Sequence, residues 1–484
     1  MRLRYLSGQA GFKGSDMLAD DEKQGKLYYH RLPDDFSKED KLASLASASL
    51  SSVTWRRLTP NKKHTWLRSD TEDEFERYLP IGTKAAKKVS AVNPEVLFKL
   101  FSGGVKTNRD QWVYDFAFDP LAKRMRQFID DYNTEVMRYS LLSPKPDVDG
   151  FVNYSKLKWD GTLKNDLRKG NYGHFNLSSI RDSLYRPFTK KPLYFDRLFN
   201  NANYLQPYFF PTQQSDKENR VISVTDKGSE KPFMVTITNQ IPDLHIVGPG
   251  CSAQCFPFYT YDADGSNRCE NITDWALGQF RARYADPSIS KWDIFYYVYG
   301  LLHHPGYRER YALDLKRSLP RIPFAPATDS LRLGEGAGGW GHAFAQAGRQ
   351  LADLHLNYES ADRYELDWEA TRKLVSFRVE KMLPRGKVNS ADGSYKVYSA
   401  LKYNDSLTLR GIPERAFAYR LGNRSALDWI VDQYRVKTDK RSGITHDPNG
   451  YSEDPLYILK LIERVITVSL RTVDIVDKLA ALPF

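Results

Sequence analysis

The sequence predicts an α+β fold, with mixed sheets and a helical cluster in the middle and C-terminal part. Three observations carry this prediction. Of 484 residues, 41% are apolar and 13% aromatic, enough to bury real cores in two or three domains. Strand-like alternation and helix-like periodicity fall in separate blocks rather than in repeated βαβ order. No internal repeat or long low-complexity tract interrupts those blocks.

In chain order, residues 1–95 read as a mixed module. "GKLYYHRL" is a strand, "KEDKLASLASASL" a helix, and "SVTWRRLTP" a strand stopped by Pro60. Residues 96–484 form the main region: strand-rich over 96–265, helical over 266–360 and mixed over 361–484. "DQWVYDFAF" alternates like a strand. "DPLAKRMRQFIDDYNTEVMRY" then places Leu121, Met125, Phe128, Ile129 and Tyr132 on one helical face. "PLYFD", "RVISVTD", "PFMVTITNQ" and "DLHIVG" are strands between Pro, Gly and Asn breakers. Helices follow in "NITDWALGQFRARYA", "ISKWDIFYYVYGLLHHP", "GYRERYALDLKRSLPRIP" and "WGHAFAQAGRQLADLHLNYE". The tail has strands in "YKVYSALKYNDSLTLRGIP" and helices over 426–434 and 456–482.

The formal charge of +11 suits a polyanionic partner without requiring one. No run of 18 apolar residues exists and the N-terminus has no signal-like apolar stretch, so the expectation is a soluble chain in the cytoplasm. Cys251, Cys255 and Cys269 are separated by three and then thirteen residues, without the Cys-x2-Cys knuckle of zinc sites. They are expected to be reduced thiols, with no metal bound.

Several motifs fail on context. "GEGAGG" at 334–339 fits G-x-G-x-x-G, with Asp353 and Glu359 at tempting distances, but "PFAPATDSLRL" before it is no buried strand. It reads as a lead-in to the next helix. His303 and His304 in "LLHHP" point about 100° apart on a helix and suit its C-terminal dipole better than a shared metal. There is no P-loop, no Gly-x-Ser-x-Gly, no His-Glu-x-x-His and no Asn/Asp-Pro-Pro-Tyr/Phe; "NPEV" and "DPNG" lack the second proline and the aromatic.

Three stretches interleave cations, amides and turn residues. "SGGVKTNRDQW" (102–112) offers Lys106, Thr107, Asn108 and Arg109. "KLKWDGTLKNDLRKGNYG" (156–173) offers Lys156, Lys158, Lys164, Arg168 and Lys169 against Asp160 and Asp166. "GNRSALDWIVDQYRVKTDKRSGITHDPNG" (422–450) sets a helix with a Ser425–Asp428 capping box before a loop carrying Lys437, Lys440 and Arg441, with Arg424 at the helix start. Leu427, Ile430, Val431 and Tyr434 share that helix's inner face. Each stretch alone reads as a solvated surface; together they point toward nucleic acid, Lys and Arg meeting phosphates and Asn or Gln meeting base edges.

The wording of the chain goes further than its composition. "FSGGVKTNRDQWVYDF", "DSLYRPFTKKPLYFD", "IPDLH", "QCFPFYTY", "ITDWALGQFRARYADPSISKWDIFYYVYGLLHHPGYRERYALDLKRSLPRIP", "GRQLADLHLNYE" and "LIERVITVSLRTVDIV" follow one another in order. From about residue 28 onward the chain resembles the C-terminal region of type ISP restriction–modification enzymes. In those large polypeptides a nuclease, a helicase-like ATPase, a coupler, an N6-adenine methyltransferase and a target-recognition domain follow one another. The resemblance implies reading of double-stranded DNA and presentation of a target adenine to a methyltransferase on an upstream or partner polypeptide. Residues 28–70 resemble only the tail of the methyltransferase domain, so S-adenosylmethionine is expected on the methyltransferase part upstream, and no cofactor or catalytic residue is expected in this chain. Two other readings stay open: a folded remnant of a split or truncated gene, and a nuclease with scattered carboxylate ligands.

Overall fold

The computed structural model describes residues 2–7, 26–32, 38–60, 71–88, 93–154, 157–326 and 342–484. The glycine-rich 334–339 stretch and Lys156 lie outside them. The chain divides into Met1–Asp73 and Glu74–Phe484. Residues 74–95, read above with the first module, belong to the larger unit: Phe75 and Ile81 are buried in its core, and Leu79–Pro80 pairs with Arg321–Ile322.

The first unit is an antiparallel sheet in the order β1 (Arg2–Ser7), β2 (Lys26–Arg31), β3 (Arg56–Leu58), with helix α1 (Lys38–Ser47) between β2 and β3. Here "KEDKLASLASASL" and the two expected strands form as read.

The larger unit is α+β, as predicted, and packs around three cores. The first is built on α2 (Phe118–Ser140), preceded by the short strand β4 (Ser102–Gly103). The stripe at Leu121, Met125, Phe128, Ile129 and Tyr132 is buried, extended by Val136 and Tyr139. Helix α3 (Gly161–Lys169) and the hairpin of β5 (Ile180–Arg186) and β6 (Thr189–Tyr194) close this core. Each fully buried aromatic or aliphatic side chain there contributes about 1.5–3 kcal/mol.

The second core lies between a sheet and three helices. β7 (Val221–Thr225), β8 (Val235–Thr238) and β10 (Ala253–Pro257) join β4 in an antiparallel sheet, while β9 (Ile241–Pro242) runs parallel to β5 in the neighbouring one. β7 and β8 are buried at every position, as strands covered on both faces must be. Against them pack α4 (Asp274–Tyr284), α5 (Lys291–Leu301) and α6 (His342–Leu356). α5 and α6 touch backbone to backbone. A Cβ on Gly300 would stand 2.2 Å from the Phe344 carbonyl oxygen, and one on Gly348 1.9 Å from that of Tyr296. Only glycine fits either position.

The third core joins the antiparallel strands β11 (Asp367–Ala370), β12 (Leu383–Arg385), β13 (Ala400–Lys402) and β14 (Leu407–Arg410) to helix α7 (Ala426–Gln433) and the long helix α8 (Tyr457–Ala480); between these helices in the chain stands the hairpin β15 (Lys437–Thr438)–β16 (Thr445–His446). Among the described residues no helix is long and apolar enough to cross a membrane.

Four expectations fail locally. "DQWVYDFAF" forms a helical turn at Asp110–Val113 and one isolated bridge, Tyr114 to Leu193; Val113, Tyr114 and Phe116 are buried by side-chain packing and not by a strand ladder. "DLHIVG" is a turn: Asp243 Oδ1 accepts the His245 N–H at 2.8 Å, and Gly248 takes a φ of +85°. The predicted helix 306–320 breaks at Tyr311 into Pro305–Arg310 and Ala312–Leu315. His303 and His304 do end α5, but not by the dipole. Burial holds both imidazoles below their ordinary pKa and so neutral, and the neutral His304 ring accepts the Tyr307 N–H at 3.2 Å to start the next helix.

Candidate functional site

The fold brings the three polar stretches together on the larger unit. In the first, Thr107 is buried and its hydroxyl donates to Asp110. Asn108 adopts a left-handed φ of +57° and reaches Asp160 Oδ2 at 3.5 Å. Arg109 is only 1% exposed; it lies 2.9 Å from Asp160 Oδ1 and donates to the Phe199 carbonyl at 2.6 Å. Its Nε reaches the Lys158 carbonyl at 3.4 Å, tying the first stretch to the second. Arg109 and Thr107 are therefore framework, which corrects the expectation that they offer donors to DNA: their polar atoms are already engaged inside the protein. Lys106 is half-buried, its backbone paired both ways with Ala202 at 2.9 Å.

In the second stretch Asp160 caps α3 by accepting the Leu163 N–H at 2.9 Å. Lys164 pairs with Asp149, while Arg168 and Lys169 are exposed in the last turn, before Gly170 ends the helix at a φ of +71°. Lys158 is exposed and faces the third stretch. The Asp439 carboxyl is held below its ordinary pKa, first by the Ser442 N–H and hydroxyl, and further by the charge of Lys158.

The third stretch has the predicted capping box. Ser425 Oγ accepts the Asp428 N–H at 3.1 Å, and Asp428 Oδ2 accepts from the Ser425 hydroxyl at 2.7 Å. Leu427, Ile430 and Tyr434 are buried and Val431 is half-buried, as read; Ala426 and Trp429 add to that face. The hairpin pairs Lys437 with His446 and Thr438 with Thr445. Its one carboxylate, Asp439, accepts from Ser442 N–H at 2.9 Å and from its hydroxyl at 2.8 Å, and Gly443 turns the chain at a φ of +69°. The anion thus shapes the turn instead of neutralising a lysine. Lys437, Lys440 and Arg441 stay exposed, with no ion pair among the described residues.

Between the first core and α7 lies a cavity of about 360 Å³. Arg186, Lys191, Lys231, Arg424, Arg435 and Lys437 line it, against two carboxylates, Asp110 and Asp432. A β-bulge after Leu184 makes consecutive Tyr185 and Arg186 both face it, where regular alternation would turn one away. Both carboxylates are engaged. Asp110 accepts from Tyr185 at 3.0 Å and from Thr107; Asp432 lies 2.6 Å from Arg424 and 3.4 Å from Arg435. Arg186 pairs deeper with Asp243 at 3.0 Å. Arg424 sits 4.9 Å from the centre of the Trp429 ring.

Lys191 is the outlier. It is 7% exposed, has no carboxylate within ion-pair distance among the described residues, and its ammonium lies 4.1 Å from the Phe116 ring centre and 4.3 Å from that of Tyr185. Burial, reinforced by Arg186, pushes its pKa down to about 7. Burial, with Lys191 next to it, likewise lowers His446 to about 4. Sequence reasoning found Arg424 and Lys437 of this lining and missed Arg186, Lys191, Lys231 and Arg435. No local pattern separates Lys191 from Lys190, which alternation sends to the opposite face to pair with Glu359.

Cys251 and Cys255 are buried and Cys269 is exposed; among the described residues no three His, Cys, Asp or Glu side chains gather as a metal site.

The α+β scaffold thus presents cationic hairpin and helix-end residues beside a cation-lined cavity. Residues 96–461 match the family model of the type ISP C-terminal specificity domain, and the chain belongs to that family. It is 32% identical to a nuclease-deletion mutant of the type ISP restriction–modification enzyme LlaGI, solved in complex with a DNA substrate mimic, with a TM-score of 0.79 over 96% of this chain. It is 33% identical to DrdV in a DrdV–DNA complex, with a TM-score of 0.79 over 94%. To LlaBIII, an ATP-dependent type ISP enzyme bound to DNA, it is 31% identical, with a TM-score of 0.72 over 89%. The chain spans 40%, 43% and 26% of those three chains. No curated protein sequence matches it.

Proposed function

We propose that this chain reads double-stranded DNA as the specificity part of a restriction–modification enzyme, working in the cytoplasm where that DNA lies. In this reading it presents a target adenine to a methyltransferase on an upstream or partner polypeptide and performs no chemistry itself. The observation that carries the reading is the hairpin tip. Lys437, Lys440 and Arg441 are exposed and unpaired among the described residues, beside Lys158, on a chain of a specificity-domain family. Solved relatives were captured with DNA or a DNA mimic. Lys and Arg there would fix register on phosphates, and amide side chains such as Asn423 and Gln433 would approach base edges. Flipping the adenine would cost a few kcal/mol, to be offset in the methyltransferase pocket. S-adenosylmethionine belongs on that methyltransferase part. The cavity described above does not suit it, since its excess of cations opposes a sulfonium.

Fluorescence anisotropy of the chain on labelled duplexes, across a salt series, tests the reading. The triple variant Lys437→Ala, Lys440→Ala, Arg441→Ala should lose affinity, and its log–log salt slope should fall by about three. Unchanged affinity and slope would remove the hairpin from the interface; no binding by the parent chain would reject the proposal.

A further inference from the structure

We infer that the cavity between β5–β6 and α7 is a phosphoryl-binding site, with Lys191 as its central ligand and Arg424 and Lys437 at its wall. The cavity's two carboxylates are already engaged by Tyr185, Thr107, Arg424 and Arg435, which leaves Lys191, Lys231 and Lys437 without an anion. A lysine side chain more than nine-tenths buried, held between Phe116 and Tyr185 and lacking a carboxylate partner among the described residues, is expensive to maintain in an empty protein. A dianion placed against it relieves that cost. The cavity of about 360 Å³ is in the size range of small-molecule sites, and a single phosphate is far smaller. The rest of the lining indicates what the phosphate carries. Gln111, Asn423 and Gln433 supply amide donors and acceptors, and Trp429 and Tyr185 supply aromatic rings over which Arg424 and Lys191 stand. That combination suits a nucleotide better than inorganic phosphate alone. The phosphoryl group could come from a DNA strand entering beside the hairpin or from a free nucleotide. The chemistry is common to both sources, and the free-nucleotide case stands without the DNA reading.

The test is isothermal titration of the full chain with pyrophosphate and with deoxyadenosine monophosphate, each repeated with a short unlabelled duplex present. Saturable binding of at least one probe is expected, weakened tenfold or more in Lys191→Met and less in Lys437→Ala. Arg471→Ala, at an exposed pair with Asp362, should bind as the parent does. Competition by duplex assigns the site to backbone phosphate, and binding indifferent to duplex assigns it to a free nucleotide. Equal affinity in parent and Lys191→Met, or no binding of either probe at millimolar concentration, overturns the inference. If Lys191→Met does not fold, Arg424→Ala with Lys437→Ala makes the same comparison from the cavity wall. Failure of the DNA reading is seen separately by anisotropy of the double variant Lys440→Ala, Arg441→Ala, since those two residues do not line the cavity.

Discussion

The loop at 102–112 and the hairpin at 437–446 have much the same composition: cations, small polar residues, glycine and one aspartate each. The first is folded inward and the second outward. In the first, Asp110 collects Thr107 and Tyr185, and Arg109 clamps Asp160 from the other side. In the second, Asp439 is satisfied by Ser442 within its own turn, so the neighbouring cations have nothing to pair with. What separates them is the partner each aspartate finds: Tyr185, far away in sequence, for Asp110, and Ser442, in the same turn, for Asp439. A cation run with a locally satisfied anion is a surface; one whose anion is supplied from a distance is a scaffold.

The sharpest way to break this contrast is Arg109→Ala. It leaves Asp160 without its cation and the Phe199 carbonyl without its donor. Removing one partner of a buried pair costs about 3–5 kcal/mol. Urea denaturation should show a loss of that order, whereas a loss under about 1 kcal/mol would place Arg109 with surface cations instead.

A smaller effect lies in the pH dependence of the buried groups. Lys191 has a folded pKa near 7 against an ordinary 10.5. Between those values the unfolded chain holds the proton and the folded chain does not, so this group makes stability rise with pH across that window, by a few kcal/mol at full relief. Lys191→Met should remove the rise and stabilise the chain at neutral pH. His446 works at the other end: with a folded pKa near 4 and an ordinary 6.5, its neutral burial contributes stability that is lost as pH falls from 6.5 toward 4. Urea midpoints at pH 5, 7 and 9 in parent and Lys191→Met separate the two. A Lys191→Met variant with the parent's slope from pH 7 to 9 would show that the lysine is solvated rather than buried.

These cases also mark what the sequence made legible. Periodicity exposed the stripe of α2 and the inner face of α7, because both are local and their spacing is set by the helix itself. Ser425 and Asp428 could be read as a capping box for the same reason. The wording of the chain from about residue 28 onward pointed to the family. What stayed hidden was long-range. Arg109 finds Asp160 across 51 residues of chain, and Asp110 meets Asp432 at one cavity only after the first and third cores pack. The bulge that turns Tyr185 and Arg186 the same way leaves no mark in "SLYRPFTKK". "DLHIVG" was misread because Asp243 uses its carboxylate to close a turn, a choice set by burial against Arg186 rather than by apolar pattern.

The mildest perturbation is also the most discriminating for the outward-facing half of the contrast. Arg441 is exposed at the hairpin tip, so Arg441→Ala should change stability by less than about 0.5 kcal/mol. Its effect should fall on DNA. If Arg441 meets a phosphate, affinity drops for every duplex alike and the salt slope flattens by about one. If it reads a guanine edge, the loss of about 1–3 kcal/mol is confined to the cognate sequence and the slope is largely kept. Anisotropy on random and cognate duplexes at three salt concentrations separates these two patterns. A third pattern, no change on either duplex, would make the hairpin a solvated turn, and the outward cations of this module would then have to act through Lys158, Arg168 and Lys169 on the neighbouring stretch.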